Sequence, residues 1–190
     1  MSKRPDIISA TCELLWERGY ESTSPNDVLD RSGAGKGSLY HHFDGKKALA
    51  EEALKEIKNE MIASLDTTLR DEERSPLDRI RTWLDETREP LKGCRLGGLS
   101  SEHSVIEEEE LRRPVARYFE VVSEELESAL DAAVDAGELP SSMDTGQFAA
   151  MLLSVVQGGF VTSRALQDPQ QMTKATQAAK SLLANVITNS

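Results

Sequence analysis

The chain has 190 residues, 38% of them hydrophobic, and a formal net charge of −11. That length buries a core without staples, and two cysteines far apart, Cys12 and Cys94, exclude the disulfide framework of small secreted proteins. No run approaches the roughly 18 apolar residues of a membrane span and the N-terminus lacks an apolar export stretch, so a cytoplasmic protein with no membrane partner is expected.

The spacing of apolar residues, three and four apart and seldom two, predicts helices throughout and no strands. The first covers roughly residues 5–18, with Ile7, Ala10, Leu14 and Leu15 on one face and Gly19 as its stop. The second starts at Ser24, with Pro25 in first position and Asp27 completing a Ser-x-x-Asp cap, and stops near Gly33. The third is short, Lys36 to His42. The fourth starts at Asp44, acting as its cap, and runs through Leu49, Leu54, Ile57, Met61 and Leu65. A charged break at 71–74 precedes a helix capped by Ser75, with Leu77, Ile80, Trp83 and Leu84 as its apolar face. A Gly-rich link at 93–98 leads to a long helix headed by Glu107–Glu110, with Val115, Phe119, Val122, Leu126, Leu130 and Ala133 facing inward. Pro114 is expected in its first turn, the place where a missing N–H does no harm. From Phe148 to Val161 almost every residue is apolar or small on all faces, so this helix must be covered on all sides. The last helix carries Ala175, Ala178, Leu182, Leu183, Val186 and Ile187.

The expected architecture is all-α with about nine helices. A three-helix N-terminal domain at 1–50 carries a helix-turn-helix, and a larger helical domain follows at 51–190. The last two helices have apolar surface to spare. It either completes a monomer's core or, as favoured here, joins two copies in a four-helix homodimer interface through Leu152, Val156, Phe160, Ala178, Leu182 and Val186.

The run Gly33–Leu49 is the most informative. A helix-turn-helix braces one helix against the backbone and lays the next in the major groove of double-stranded DNA, which admits one helix. Gly33 and Gly35 permit the turn, and Gly35 leaves the amides of the next helix uncapped, open to a phosphate. Gly37 allows close approach. Leu39 and Phe43 pack inward, leaving Lys36, Ser38, Tyr40, His41 and His42 outward, with Lys46 and Lys47 near phosphates. The charge distribution agrees. Residues 1–50 are neutral overall, residues 31–50 hold four Lys/Arg against one Asp, and the acidity lies beyond them.

These residues carry a resemblance. Ile7-Ile8, the Glu17-Arg18-Gly19-Tyr20 turn, Thr23, the run Gly33 to Phe43 and Lys46-Lys47-Ala48-Leu49 together resemble the DNA-binding domain of the TetR family of bacterial transcriptional repressors. The resemblance implies phosphate contacts from Thr23, Ser24, Tyr40, His42 and Lys46, and base contacts from Lys36 and Ser38. It also implies a dimer on a palindromic operator, released when a small molecule binds the larger domain. Ser24 to Leu29 and Gly35 depart from the family's usual residues at those places.

Met61, Trp83, Cys94, Phe119, Phe148 and Met151 could line an effector pocket, which would take a largely apolar ligand, or could simply be core. The segment Gly93 to Glu102 resembles that of a TetR subgroup in which a Gly-Cys pair precedes a short helix and some members sense electrophiles. Cys94 at a helix start beside Arg95 would be partly thiolate; the plain alternative is a small residue in a tight turn. No cofactor or metal is expected. The Gly cluster lacks the strand and Lys-Ser/Thr of a phosphate loop, adjacent His41 and His42 diverge, and Cys94 with His103 makes no ligand set. An enzyme is disfavoured because no nucleophile–base pair is legible. A helical dimer used only for protein interaction would be distinguished by lack of DNA affinity.

Overall fold

The computed structural model of the chain describes residues 3–188. Among the described residues there are nine α-helices and no strand: α1 (Arg4–Arg18), α2 (Pro25–Ser32), α3 (Lys36–His42), α4 (Lys46–Ala63), α5 (Pro76–Asp85), α6 (His103–Glu107), α7 (Glu109–Asp135), α8 (Thr145–Leu166) and α9 (Gln170–Thr188). The all-helical architecture is the one the periodicity predicts.

Local chemistry sets most boundaries. α1 ends at Gly19, whose φ of +82° and ψ of 176° lie in a region open essentially to glycine alone. α2 opens on a complete capping box: Ser24 Oγ accepts the Asp27 N–H, and the Asp27 carboxylate accepts the Ser24 N–H at 2.8 Å. It closes on Gly33 in the left-handed conformation, φ +61°. Ser75 caps α5 by accepting the Asp78 N–H. Asp168 accepts the Gln170 N–H at 3.0 Å, and Ser163 Oγ accepts that of Met172 at 3.1 Å, so the first amides of α9 are satisfied.

Three expectations need correction. α4 begins at Lys46, and the Leu49 N–H bonds to the Gly45 carbonyl, so Asp44 lies one residue outside the cap position. Pro114 is inside α7, past its first turn: the amides of Leu111 and Arg112 already bond to the Glu108 carbonyl, so the helix is under way before the proline. Lacking an N–H, Pro114 leaves the Glu110 carbonyl without its intrahelical partner. Finally, α8 extends three residues before and five after the run from Phe148 to Val161, and it is long and apolar enough to cross a membrane.

The described chain forms two compact units. One gathers residues 1–61 and 94–118; the other gathers 62–93 and 119–190. The first unit has a core of Ile7, Ala10, Leu14, Val28, Leu39, Phe43 and Leu49, with Ile8, Leu29 and Ala34 packed on it. This core ties α1, α2, α3 and the start of α4 into one body. In the second unit α8 packs along α9, and α5 also meets α9. α8 buries Ala149, Leu152, Val156, Gly159 and Ser163, a single stripe at helical spacing. Gly159 permits close approach: a Cβ there would fall 2.8 Å from Met172 Sδ and 3.3 Å from its Cα. The opposite face stays open at Val161, 67% exposed, so the chain alone does not cover α8 on all sides.

Candidate nucleic-acid interface

The interface is built on α2, the turn at 33–35 and α3. Leu39 and Phe43 are buried in the core, as their spacing predicts, and they fix the roll of α3. Lys36, Gly37, Tyr40 and His41 are consequently exposed, with Ser38 and His42 half-buried. Tyr40 is a large aromatic side chain left half in water at 50% exposure. The rings of His41 and His42 stand 5.0 Å apart edge to face. Among the described residues, no group of three His, Cys, Asp or Glu is placed to hold a metal.

Gly35 and Gly37 carry a specific message. Neither has positive φ, and a Cβ on either would meet nothing within 4 Å. Backbone geometry and internal packing therefore leave both positions open to alanine. A glycine within a helix costs about 0.5–1 kcal/mol relative to alanine. Nothing within the described chain therefore requires a glycine at position 37. Gly35 also provides no side-chain cap for α3.

The charges sort into two groups. Arg31 grips both oxygens of Glu17, at 3.1 and 2.8 Å, and Glu13 at 3.2 Å. These bonds raise its pKa further and tie α2 to α1. Lys47 bonds to Glu108 at 2.5 Å and Glu110 at 3.1 Å, and both partners raise its pKa. Lys46 instead rests on neutral groups: Nζ donates to the Glu21 carbonyl at 3.2 Å and lies 4.3 Å from the centre of the Tyr20 ring. Lys36 stands exposed at the first position of α3. Of the four basic residues counted in 31–50, two are thus committed to carboxylates.

Thr23 is placed differently from expectation. It is only 4% exposed, and its hydroxyl donates to the Gly19 carbonyl at 2.6 Å, so it builds the turn before α2 instead of facing outward. Ser24 is exposed, and its hydroxyl also donates to Asp27 at 2.6 Å. Bonds from Ser24 hold the Asp27 carboxyl below the usual range, and Arg18 adds a smaller pull. The acidic partners Glu102, Glu108 and Glu110 were not legible: they lie 61 or more residues from the groups they hold, and no local spacing marks such pairs.

The residues proposed for an effector pocket are spread over both units. Met61 and Cys94 belong to the first, and Trp83, Phe119, Phe148 and Met151 to the second. Trp83 is buried and has the Arg88 guanidinium 5.3 Å from its ring centre; Phe119, Phe148 and Met151 are half-buried. A cleft of about 400 Å³ in the second unit is lined by other residues, including Asp85, Arg88, Met172 and Thr176. Leu152 and Val156, expected in a dimer interface, are 0% and 3% exposed in the single chain and are taken up by its own core. Ala178 and Leu182 are exposed, with Phe160 and Val186 half-buried.

The setting of Cys94 also differs. It precedes a turn and a short 3-10 segment (Leu99–Ser101), not an α-helix start. Arg95 turns away to Glu60 at 2.6 Å and lies 5.7 Å from the centre of the Trp16 ring. Cys94 is buried, and its Sγ accepts the Gly97 N–H at 3.2 Å. The Cys12 thiol is pushed up to about 12 by burial and donates to the Ala53 carbonyl at 3.5 Å.

A braced helix, a glycine turn and a short helix with a polar outer face over a buried Leu39 and Phe43 define a helix-turn-helix head of the kind carried by transcription regulators. Residues 7–53 match the family described as bacterial regulatory proteins, tetR family, and residues 74–179 match the tetracyclin repressor-like C-terminal domain. The chain belongs to the TetR family of helix-turn-helix transcription regulators, which are not enzymes. It is 29% identical to an HTH-type transcriptional regulator in the lacX 3' region of Lactococcus lactis, over 85% of this chain and 83% of that one. It is 24% identical to the HTH-type transcriptional repressor DhaR of Mycobacterium sp. strain GP1, over 83% of this chain and 80% of the repressor. The fold is similar to the crystal structure of E. coli NemR in reduced form, with a TM-score of 0.85, 22% identity, and 95% and 96% of the two chains covered. Regulators of this family bind operator DNA and are typically dimers with small-molecule effectors.

Proposed function

We propose that this regulator represses transcription from the cytoplasm by holding a palindromic operator with two copies of the head at 1–50. Residues 51–190 would bind an effector and join the copies. The carrying observation is the pair of glycines at the start of α3, which neither conformation nor packing requires. In this reading Lys36 and Ser38 approach bases across the gap that Gly37 leaves. Ser24, Tyr40, His42 and Lys46 meet phosphates, with His41 at the rim. Footprinting on DNA upstream of the regulator's own gene tests it: a protected site with two half-sites about one helical turn apart is expected. No protection at low salt by folded protein contradicts it.

The open face of α8, together with Leu182 on α9, supports dimerisation. The half-buried Phe119, Phe148 and Met151 support a largely apolar effector. Such a ligand releases DNA only if it binds the DNA-incompetent state more tightly than the competent one. A second reading makes Cys94 the switch. The Gly97 N–H donates to its sulfur, and alkylation there would disturb that bond. If Cys94→Ser leaves quinone-induced release from DNA unchanged, that reading is wrong.

A further inference from the structure

The turn between α1 and α2 is held by a residue more than 80 positions away. Glu102 occupies the cap position of α6 but makes no side-chain cap there. Its carboxylate instead accepts the N–H of Tyr20 at 3.0 Å and of Glu21 at 2.7 Å. Glu21 supplies the cap that Glu102 withholds: its Oε1 accepts the Ser104 N–H at 3.4 Å and the Ser104 hydroxyl at 2.7 Å. The two acids have exchanged caps, each satisfying donors in the other's segment. Gly19 completes the arrangement, because a Cβ on it would fall 2.2 Å from Glu102 Oε1. The bonds from Ser104 hold the Glu21 carboxyl below the usual range.

The same turn organises the groups assigned to phosphate contact. The Thr23 hydroxyl and N–H donate to the carbonyls of Gly19 and Tyr20, and Ser24 follows directly as the cap of α2. Lys46 rests on the Tyr20 ring and donates to the Glu21 carbonyl. Fixing residues 20 and 21 therefore fixes both the start of α2 and the seat of Lys46.

We infer that Glu102 is a positioning residue for DNA binding, acting through the turn at 19–23 that presents Ser24 and Lys46. The inference rests on the DNA-binding reading above. It predicts an effect opposite in sign to simple electrostatics. Removing a carboxylate from a DNA-binding unit should, by charge alone, tighten binding. Loss of the turn's anchor should weaken it.

The test uses the full chain, unaltered and as Glu102→Ala and Glu102→Gln. Binding is measured by fluorescence anisotropy over a salt series, on a duplex from upstream of the regulator's own gene and on a random duplex of equal length. Amide exchange at Tyr20 and Glu21 is followed in parallel. Glu102→Ala should lose about tenfold or more on both duplexes, as expected for losing bonds to a charged group. Its salt slope should fall by about one as Lys46 leaves its phosphate. Glu102→Gln, with one acceptor oxygen left, should lose less, and exchange at both amides should quicken in each variant. A drop in folded fraction alone would leave the slope unchanged, and that result overturns the inference. So does unchanged or tighter binding by Glu102→Gln, which decides the matter should Glu102→Ala not fold. If the unaltered chain binds neither duplex, the DNA-binding reading falls and this inference with it; if it binds and Glu102→Gln binds equally, this inference alone falls.

Discussion

Gly37 can be weighed against its own helix. Nothing in the chain fills the space beside it, so Gly37→Ala should stabilise the fold by about 0.5–1 kcal/mol in denaturant unfolding. It should nevertheless weaken binding to operator DNA, because the added methyl meets the DNA surface. A variant that is more stable and binds as well would show that the glycine has no ligand to accommodate. Asp27 makes a second residue-level case. Its folded pKa lies below the ordinary value because Ser24 donates to it twice. A lowered carboxyl pKa contributes stability above the unfolded value, about 3.9, and loses it as pH falls through the folded value. Asp27→Asn should therefore flatten the pH dependence of the melting temperature below about pH 4, while a dependence identical to that of the unaltered chain contradicts the assignment.

At the scale of elements, the helices with their own punctuation were the legible ones. Ser24-Pro25 with Asp27, Ser75-Pro76 with Asp78, and the stops at Gly19 and Gly33 each encode a boundary within four residues, and each boundary is found. Boundaries set by partners elsewhere were not legible. Thr23 turns inward because the Gly19 carbonyl needs a donor, and two of the basic residues near α3 are neutralised by acids from other helices, which a charge count along the sequence does not register. Gly19 gives the sharpest prediction at this scale. Gly19→Ala forces a side chain into a glycine-only conformation and against the Glu102 carboxylate, so it should cost about 1–3 kcal/mol in equilibrium unfolding. A loss below a few tenths would contradict the backbone geometry.

For the whole molecule, the sequence implied two domains with separate tasks, and the exposed side of α8 gives the second a surface to share. Val161 is 67% and Leu182 49% exposed, both apolar and on the two C-terminal helices. Val161→Asp with Leu182→Glu should shift sedimentation from dimer toward monomer, and an unchanged dimer would place the interface elsewhere. Leu152 and Val156 could not be told from interface residues by pattern, since burial against one's own chain and against a copy leave the same apolar stripe. The claim that the head binds DNA through α3 and Lys46 is tested most directly by the salt dependence of operator affinity for the unaltered chain, Lys36→Ala and Lys46→Ala. Lys46→Ala should lower the slope by about one on specific and random duplexes alike, and Lys36→Ala should cost more on the operator than on random DNA. A folded protein with no affinity at low salt, or a slope indifferent to Lys46, would contradict that claim.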